Sequence, residues 1–381
     1  MKILLVSSFL LFKETRFGGS KRLYYLAEAL NKRVDLDIIC LDLCNEIDSY
    51  RKPEDLNIKK VIKSNKPELL KRIFYSPYDG ANLEQKTRTD LKKLIKAQNY
   101  DSVLLLYPLS LSVIDEIRPF CKNIIFLEDD LIIERYRIIL ESYRNKLPYF
   151  WKYFRYRQIK AFYDSKIKGI KKFICISPEE SLIVKKLFPH CETFLLSYGI
   201  DIRDFPLIKQ RTFKSSIGYI GNFQHLPNVD SVRYFLESLL PLLSGEKIKV
   251  IIAGKNIPPE ICAEYHNQES LVFLENPDLI DFYSRISVFV NPIISGRGMR
   301  TKVIESAAFG IPVISTRLGA EGLDDLRIPI FHDPGSFKKL LMDLLNNDTL
   351  WEEISAINRK TITECYTSEK LADRLIDIIK S

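Results

Sequence analysis

The segment whose residue types are best suited to chemistry runs from residue 291 to 323. It combines a glycine turn, basic residues and a carboxylate. Gly296 and Gly298 predict a turn after a short apolar run, and residues 301–309 have helical spacing. A helix directs its free N–H groups and the positive end of its dipole at the preceding turn, where a phosphate is stabilised. The pattern therefore indicates an anion site at the start of this helix.

The charged side chains of this segment suit a phosphorylated sugar. Arg300 and Lys302 would add positive charge for a diphosphate. Glu305, one turn further into the helix, could accept two hydrogen bonds from a vicinal diol such as a ribose. The predicted binding residues here are Gly298, Met299, Arg300, Thr301, Lys302 and Glu305.

The same segment resembles a known family. The matching residues are Glu305, Ala308, Gly310, Pro312 and Val313. They are similar to the motif of GT-B glycosyltransferases, specifically the retaining nucleotide-sugar enzymes of glycosyltransferase family 4. Arg297 stands eight residues before Glu305, where the family usually has a glutamate that contacts the transferred sugar. The resemblance implies a role for Arg297 at that sugar and an altered choice of donor.

Glycines also follow the first predicted strand, in Phe17-Gly18-Gly19-Ser20, before a helix expected from about Lys21. They would let backbone N–H groups approach a phosphate or sugar. An ordinary turn would use the same residues, but the family resemblance favours a donor-facing loop at Gly19. The G-x-G-x-x-G fingerprint is missing here, so NAD or FAD is not indicated.

A third turn follows the predicted strand 216–221. Gly221 and Asn222 stand at its carboxyl end, where open α/β sheets bind ligands, and the surrounding residues are similar to the start of the family's donor domain. Lys255 follows the strand 248–253. It would either neutralise a diphosphate or lie in a solvated turn.

An acidic cluster, Glu128-Asp129-Asp130, follows the predicted strand 124–127. In the family, a residue near this position approaches the sugar or the acceptor, so Asp129 or Asp130 is a catalytic candidate. Either aspartate would equally serve as the N-cap of a helix that begins near Ile132. The sequence leaves both alternatives open.

The length of 381 residues, with 46% hydrophobic content, is too large for one typical core and predicts two domains. Apolar strands alternate with helices twice, which predicts an α/β fold. The resemblance implies GT-B architecture, with two doubly wound Rossmann-like domains facing a cleft. We predict an acceptor-side domain over 1–205, completed by the C-terminal helix 366–381, and a donor domain over 206–365, with a hinge near Tyr198–Asp201.

Composition excludes other classes. The seven cysteines form no C-x-x-C pair and histidine is scarce, so we expect reduced thiols, no metal and no cofactor besides a nucleotide-sugar substrate. The apolar start, MKILLVSSFLLF, fits a buried first strand better than a signal peptide. No apolar run approaches the ~20 residues of a membrane helix. These features predict a cytoplasmic protein.

Residues 147–173 contain eight Lys or Arg and one Asp, interleaved with aromatic residues. This composition suits an anionic membrane surface, or else a helix with an aromatic core face and a solvated basic face. No nucleic-acid reader motif accompanies the charge, so nucleic acid is not a predicted partner. Peripheral binding at the inner face of the membrane is the corresponding expectation.

The resemblance therefore predicts a hexosyltransferase-like enzyme that moves a sugar from a nucleotide diphosphate sugar to a glycan or lipid-linked acceptor, with retention. Cell-surface polysaccharide or glycolipid biosynthesis is the expected setting. Two alternatives stay open. One is a GT-B enzyme like the UDP-sugar 2-epimerases, and the other is a degenerate, non-catalytic GT-B binding protein.

Overall fold

A computed structural model describes residues 1–12, 18–42, 50–63, 83–128, 131–144, 149–208, 213–296 and 300–381. The chain divides into two compact units. Unit 1 comprises Met1–Ile200 and Ser368–Ser381, and unit 2 comprises Asp201–Thr367. The divisions therefore fall at 200/201 and 367/368. The sequence predicted them at 205/206 and 365/366.

Unit 1 is built on a parallel sheet of seven described strands. They are β1 Lys2–Ser7, β2 Asp35–Asp42, β3 Ile58–Lys63, β4 Ser102–Leu106, β5 Ile124–Leu127, β6 Lys172–Cys175 and β7 Glu192–Leu195, in the order β3-β2-β1-β4-β5-β6-β7. Leu4 and Val6 of β1 join one buried cluster, and Ile3 and Leu5 join another. A central strand covered on both faces is apolar at successive positions, which explains the continuous apolar run at the start of the chain.

Helices cover this sheet. The ones described before unit 2 are α1 Gly18–Asn31, α2 Gln85–Gln98, α3 Ile114–Ile117, α4 Ile132–Ser142, α5 Tyr149–Lys166 and α6 Pro178–Leu187, and a 3-10 turn spans Pro108–Val113. Helix α1 begins at Gly18, so the predicted start near Lys21 was wrong. The glycine pair forms the first turn of the helix instead of a turn before it. The first N–H groups of a helix have no partner within the helix, and here they belong to the glycine pair.

The sequence did not predict β3. Among the described strands this one pairs with β2 alone, and it carries Lys59, Lys60 and Lys63. Charged side chains on an edge strand prevent unwanted pairing with other chains, but they also obscure the apolar pattern of a strand. The opposite edge strand, β7, is only partly buried as well.

Unit 2 is built on a second parallel sheet. Its described strands are β8 Ser216–Asn222, β9 Lys249–Lys255, β10 Leu271–Glu275, β11 Val288–Asn291, β12 Val313–Thr316 and β13 Ile330–Phe331, in the order β10-β9-β8-β11-β12-β13. The chain moves outward from β8 to β10 on one side and from β11 to β13 on the other. The strand order therefore reverses between β8 and β11, and ligands of open α/β sheets bind at such a switch point.

The helices of unit 2 alternate with these strands. They are α7 Leu226–Tyr234, α8 Pro259–Glu264, α9 Leu279–Ser284, α10 Thr301–Phe309, α11 Pro334–Asn346 and α12 Asp348–Cys365. Residues 229–243 were predicted as one helix. The structure instead continues α7 as a π-helical segment, Phe235–Leu239, and a 3-10 turn, Leu240–Leu243. Pro241 has no N–H to donate, so a regular α-helical ladder cannot run through this position.

A last helix, α13 Ser368–Lys380, belongs to unit 1 although it follows unit 2 in the chain. Leu371, Leu375 and Ile379 are buried at helical spacing, in the same cluster as the apolar side chains of α1. The Arg33 guanidinium, just after α1, donates to the Asp373 carboxylate. Burial of this apolar stripe is the main contribution of α13 to the stability of unit 1.

The described cysteines are all free, and four of them are buried. Burial raises the pKa of the Cys191 thiol to about 11, which keeps this group neutral and unreactive at physiological pH. Within the described ranges, no helix is long and apolar enough to cross a membrane.

A buried polar network surrounds the Asp37 carboxylate at the amino ends of the strands of the first sheet. This carboxylate is almost inaccessible to solvent. The Tyr100 hydroxyl donates to Asp37 Oδ2 at 2.7 Å, and Asn57 Nδ2 donates to Asp37 Oδ1 at 2.7 Å. The Lys59 ammonium lies 3.2 Å from the same carboxylate. A buried carboxylate is tolerated because it is paired in this way.

We expect Tyr100→Phe to lower the free energy of unfolding by about 2 kcal/mol at neutral pH, because a hydrogen bond to a charged group is lost. Burial and the bond to Asp37 raise the pKa of Tyr100. Because the pKa of Tyr100 is higher in the folded state than in the unfolded state, the stabilisation is complete below the unfolded-state pKa of about 10. It is lost as the pH rises above that value. Urea denaturation across the alkaline range should therefore show the wild-type advantage shrinking above pH about 10. The half-exposed Tyr153, changed to Phe, provides the control; an equal loss in both variants would contradict the prediction.

Candidate functional site

The candidate site lies at the carboxyl ends of the strands of unit 2. Parallel pairing of β8 with β9 sets Gly221 opposite Gly254 and Asn222 opposite Lys255. The structure therefore brings three predicted residues, Gly221, Asn222 and Lys255, to one edge of the sheet. Gly254 has φ +145°, and a Cβ built there would lie 1.8 Å from the Gly221 carbonyl oxygen. Only glycine fits where these two backbones approach each other.

Short-range hydrogen bonds set the shape of the loop that follows β8. Asn228 Nδ2 donates to the Asn222 carbonyl oxygen at 2.7 Å, and the buried Tyr219 hydroxyl donates to Asn228 Oδ1 at 3.0 Å. The Gln224 N–H donates to Asn222 Oδ1 at 3.1 Å. The Asn222 amide thus acts within the loop, and Lys255 remains exposed beside it.

The loop after β11 lies against the start of α7. Gly296 has φ +90°, and a Cβ at this residue would lie 2.7 Å from Pro227 Cγ. Ser295 Oγ donates to Asp230 Oδ2 at 2.7 Å. Because β8 and β11 flank the switch point, these contacts bring together the two loops that border the predicted ligand position.

Helix α10 starts from this loop and carries the predicted cation and carboxylate. Lys302 Nζ lies 2.8 Å from Glu305 Oε2; the lysine side chain is 35% exposed and the glutamate 13%. Within the described part of the chain, no acceptor contacts the backbone N–H groups of Thr301 and Lys302. The first turn of α10 therefore presents two N–H donors and a cation, and the nearly buried Glu305 carboxylate follows at the start of the second turn.

Arg300, the residue before α10, faces the protein interior. Its Nε donates to the Leu318 carbonyl oxygen at 3.1 Å and its Nη2 to the Gly296 carbonyl oxygen at 3.3 Å. Glu321 lies 3.9 Å from Nη2, and the arginine side chain is only 9% exposed. Burial lowers the pKa of this guanidinium, although it stays charged. Arg300 therefore ties the glycine turn to the segment after β12 and leaves Lys302 as the more accessible cation.

The segment after β12 was not predicted as part of the site. Asn291 Nδ2 donates to the Gly319 carbonyl oxygen at 2.7 Å, and the Gly319 N–H donates to Thr316 Oγ1 at 3.0 Å. A Cβ on Gly319 would lie 2.4 Å from Ser315 Oγ. The available sequence signal was Gly319 itself, in a Gly-Ala-Glu-Gly run just beyond a predicted strand.

The three predicted catalytic residues, Asp129, Asp130 and Arg297, lie outside the described residues, as do Gly298 and Met299. Their neighbour Glu128 is buried and described. Glu128 Oε1 accepts from the Ile132 N–H at 2.9 Å and from the Tyr163 hydroxyl at 2.6 Å. The Glu128 carboxylate therefore satisfies the first backbone N–H of α4, and the N-cap alternative for Asp129 or Asp130 stays a prediction.

Gly19 lies in the first turn of α1, which follows β1 at the switch point of the first sheet, between β1 and β4. Arg22, one turn further along, was not singled out from the sequence. Its buried guanidinium lies over the Tyr198 ring, 4.6 Å from the centroid. This contact joins the start of α1 to the segment that leads out of unit 1.

Among the described residues, no group of three or more His, Cys, Asp or Glu side chains could hold a metal ion. The chemistry that the described site offers is electrostatic. The amides and Lys302 suit a diphosphate, and Glu305 suits a diol.

Comparison with known proteins gives the site a family context. Residues 214–347 match the family model described as "Glycosyl transferases group 1". A Klebsiella pneumoniae protein described as "Uncharacterized 44.6 kDa protein in cps region" is 23% identical over 354 residues, which cover 88% of this chain and 89% of the relative.

Solved structures are similar over the whole chain. Anabaena HepE in complex with UDP has a TM-score of 0.64 at 10% identity, with 100% of each chain covered. WaaG, a glycosyltransferase involved in lipopolysaccharide biosynthesis, has a TM-score of 0.61 at 13% identity, covering 99% of this chain and 100% of WaaG. The predicted fold class is confirmed, because two parallel sheets with alternating helices match these GT-B structures. Residues 214–347 thus match a group 1 glycosyltransferase domain, in a chain with the GT-B fold.

Proposed function

We propose that the protein transfers a sugar from a nucleotide diphosphate sugar to an acceptor hydroxyl, with retention of anomeric configuration. The observation that carries the proposal is the Lys302–Glu305 pair near the start of α10, inside the segment that matches the family model. The pair stands next to the switch point of the sheet, at a helix N-terminus.

In this proposal the N–H groups of Thr301 and Lys302 and the Lys302 ammonium bind the diphosphate. Glu305 accepts hydrogen bonds from the ribose diol. The bond between the anomeric carbon and the diphosphate breaks, a bond to the acceptor oxygen forms, and the acceptor hydroxyl loses its proton. Lys302 stabilises the charge that accumulates on the leaving diphosphate, which is the main electrostatic demand of the reaction.

The Lys302–Glu305 ion pair has a further role in this scheme. With a donor bound, the ammonium turns to the diphosphate and the carboxylate to the ribose, so two new charge-assisted interactions replace one. A nucleotide without a diphosphate supplies the ribose partner of Glu305 but not the diphosphate partner of Lys302. We therefore expect the diphosphate to contribute strongly to the affinity.

The remaining assignments follow from the family resemblance. Arg297 acts at the transferred sugar, Asp129 or Asp130 orients the acceptor hydroxyl, and the reaction needs no metal or additional cofactor. We propose a cytoplasmic reaction in cell-surface polysaccharide or glycolipid biosynthesis. The involvement of WaaG in lipopolysaccharide biosynthesis supports this setting, and the UDP bound to HepE supports this donor class.

Thermal stabilisation by nucleotides tests the donor site. A ligand that binds only the folded state adds about 2.7 kcal/mol at a hundredfold excess over Kd. We expect one nucleotide family among UDP-, GDP- and dTDP-sugars to raise Tm more than CMP-sugars, which carry only a monophosphate, and Glu305→Gln to abolish the rise. Glu246→Gln is the matched control, because Glu246 also pairs with a lysine of unit 2, at 3.0 Å.

The outcomes of this assay separate the alternatives. If no nucleotide shifts Tm, the proposed donor site is wrong and a non-catalytic protein is favoured. If a UDP-sugar binds and is converted without any acceptor, an epimerase-like enzyme is favoured.

A further inference from the structure

Three large aromatic side chains are exposed at the start of α5. Phe150 is 70% exposed, Trp151 is 64% and Tyr153 is 41%. The same helix buries Ile159 and Tyr163. Soluble proteins rarely expose adjacent aromatic residues to this degree unless the surface binds something.

The surface around these rings is basic. Residues 149–163 contain Lys152, Arg155, Arg157 and Lys160 and no acidic residue. Arg157 is exposed. The first acidic residue of α5, Asp164, lies at its far end and pairs with Lys160 at 2.7 Å.

The geometry of α5 places Phe150, Tyr153 and Arg157 on one side, and the exposed Trp151 adjoins it, turned about 100° around the helix from Phe150. At 100° per residue, Phe150 and Arg157 point in nearly the same direction, opposite the buried Ile159. Tyr153 lies between them along the helix. The Lys152 ammonium lies over the Tyr143 ring, 5.2 Å from its centroid.

We propose that the first two turns of α5 dock unit 1 on an anionic lipid surface. Trp151 and Tyr153 are the residue types that favour the boundary between headgroups and acyl chains, Phe150 adds apolar area, and the cations meet anionic headgroups. We name the exposed side chains of Phe150, Trp151, Tyr153 and Arg157 the docking surface.

Charge favours a lipid surface over a second copy of the chain. In a symmetric dimer built on the docking surface, the basic face of one copy would meet the basic face of the other. Such a contact juxtaposes like charges and is disfavoured. An anionic membrane complements both the charge and the aromatic rings. This inference uses only the surface of unit 1 and does not depend on the proposed reaction.

Intrinsic fluorescence gives a direct test, because the chain has two tryptophans. Trp351 is 3% exposed and donates to the Ser287 carbonyl oxygen, so it should not respond. We expect vesicles of phosphatidylcholine mixed with phosphatidylglycerol to shift the emission to shorter wavelength, as Trp151 leaves water. Trp151→Phe should remove this shift while the protein still sediments with the vesicles.

Vesicle sedimentation of the full chain tests the apolar contribution. Phe150→Ser combined with Trp151→Ser should weaken binding about tenfold or more, because apolar side chains no longer enter the interface. Leu182→Ser is the control, since Leu182 is 59% exposed elsewhere on unit 1. It should leave binding unchanged.

A second pair of variants tests the charge. Arg157→Glu should weaken binding about tenfold or more, since each basic residue near an anionic surface contributes about 1 kcal/mol. Lys360→Glu makes the same change in net charge on α12 of unit 2, where the lysine side chain is 75% exposed, and should have little effect. Added salt should reduce wild-type binding.

Three results would overturn the proposal. The first is equal binding to vesicles with and without phosphatidylglycerol. The second is wild-type binding by the Phe150→Ser, Trp151→Ser variant. The third is an oligomer in solution that this variant dissociates, without any binding to vesicles, which would assign the docking surface to self-association.

Discussion

Lys302→Met is expected to reduce kcat/KM for the nucleotide-sugar donor by about 100- to 1,000-fold, because it removes the accessible cation that we propose binds the leaving diphosphate. Methionine keeps most of the length and apolar surface of the lysine stem, so the packing of α10 should persist. The measurement is steady-state transfer once the donor has been identified by thermal stabilisation, with circular dichroism as the check on folding.

Lys338→Met is the matched control. Lys338 has a similar exposure, 38%, and it also forms an ion pair, with Glu246 at 3.0 Å, but it lies on α11. The control should keep wild-type kcat/KM. An equal loss in both variants would mean that a lysine ion pair anywhere in unit 2 affects activity, and the role given to Lys302 would be wrong.

Glu305 complicates the interpretation of this variant, because removing Lys302 leaves its nearly buried carboxylate without that partner. The double variant Lys302→Met, Glu305→Gln separates the two effects. If the lysine acts on the diphosphate and the glutamate on the ribose, the losses in transition-state stabilisation should be close to additive. If Lys302 serves only to neutralise Glu305, adding Glu305→Gln should restore activity toward that of Glu305→Gln alone.

Gly254→Ala is expected to produce the largest loss of stability, about 3 to 6 kcal/mol, from backbone strain and overpacking together. Its φ of +145° is unfavourable for any residue with a Cβ, and the new Cβ would lie 1.8 Å from the Gly221 carbonyl oxygen. Backbone cannot move aside as a flexible side chain can. The β8–β9 pairing must therefore separate at the edge where Asn222 and Lys255 lie.

Gly245→Ala is a control for the conformational part of this effect. Gly245 has φ +84°, but a Cβ there would have no neighbour within 4 Å, so strain alone should cost about 1 to 2 kcal/mol. Urea unfolding followed by Trp351 fluorescence, with Trp151 changed to Phe, would report on unit 2 separately. Equal midpoints for the two alanine variants would contradict the steric argument.

The sequence predicted the helices and strands whose limits follow from the local pattern of their own residues. Helix α10 was predicted at 301–309 and is observed at Thr301–Phe309, because glycines before and after it delimit an apolar helical pattern. The central strands were recognised from apolar runs that follow from burial on both faces. The edge strand β3 was missed because its lysines face solvent, and its pairing with β2 depends on residues distant in sequence.

The sequence predicts side-chain direction within a helix, but not for residues in the loops between elements. Lys302 and Glu305 are on the same face of α10 because three residues separate them, so their proximity follows from helical spacing. Arg300 was assigned to a phosphate, and its guanidinium lies at the Leu318 carbonyl oxygen. Glu128 was not singled out within its acidic cluster, and its carboxylate accepts from the Ile132 N–H. The contact of Arg300 depends on how the segments after β11 and β12 meet in space.

The return of α13 to unit 1 has a consequence for protein synthesis. A ribosome produces all of unit 2 before it reaches residue 368, so unit 2 can fold on the nascent chain while unit 1 still lacks a helix. Until then, the part of unit 1 that packs against Leu371 and Leu375 remains open to water. A chaperone would therefore bind this uncovered apolar surface of unit 1 for longer than other surfaces. A premature stop codon before Ser368 would leave the surface permanently exposed to proteases.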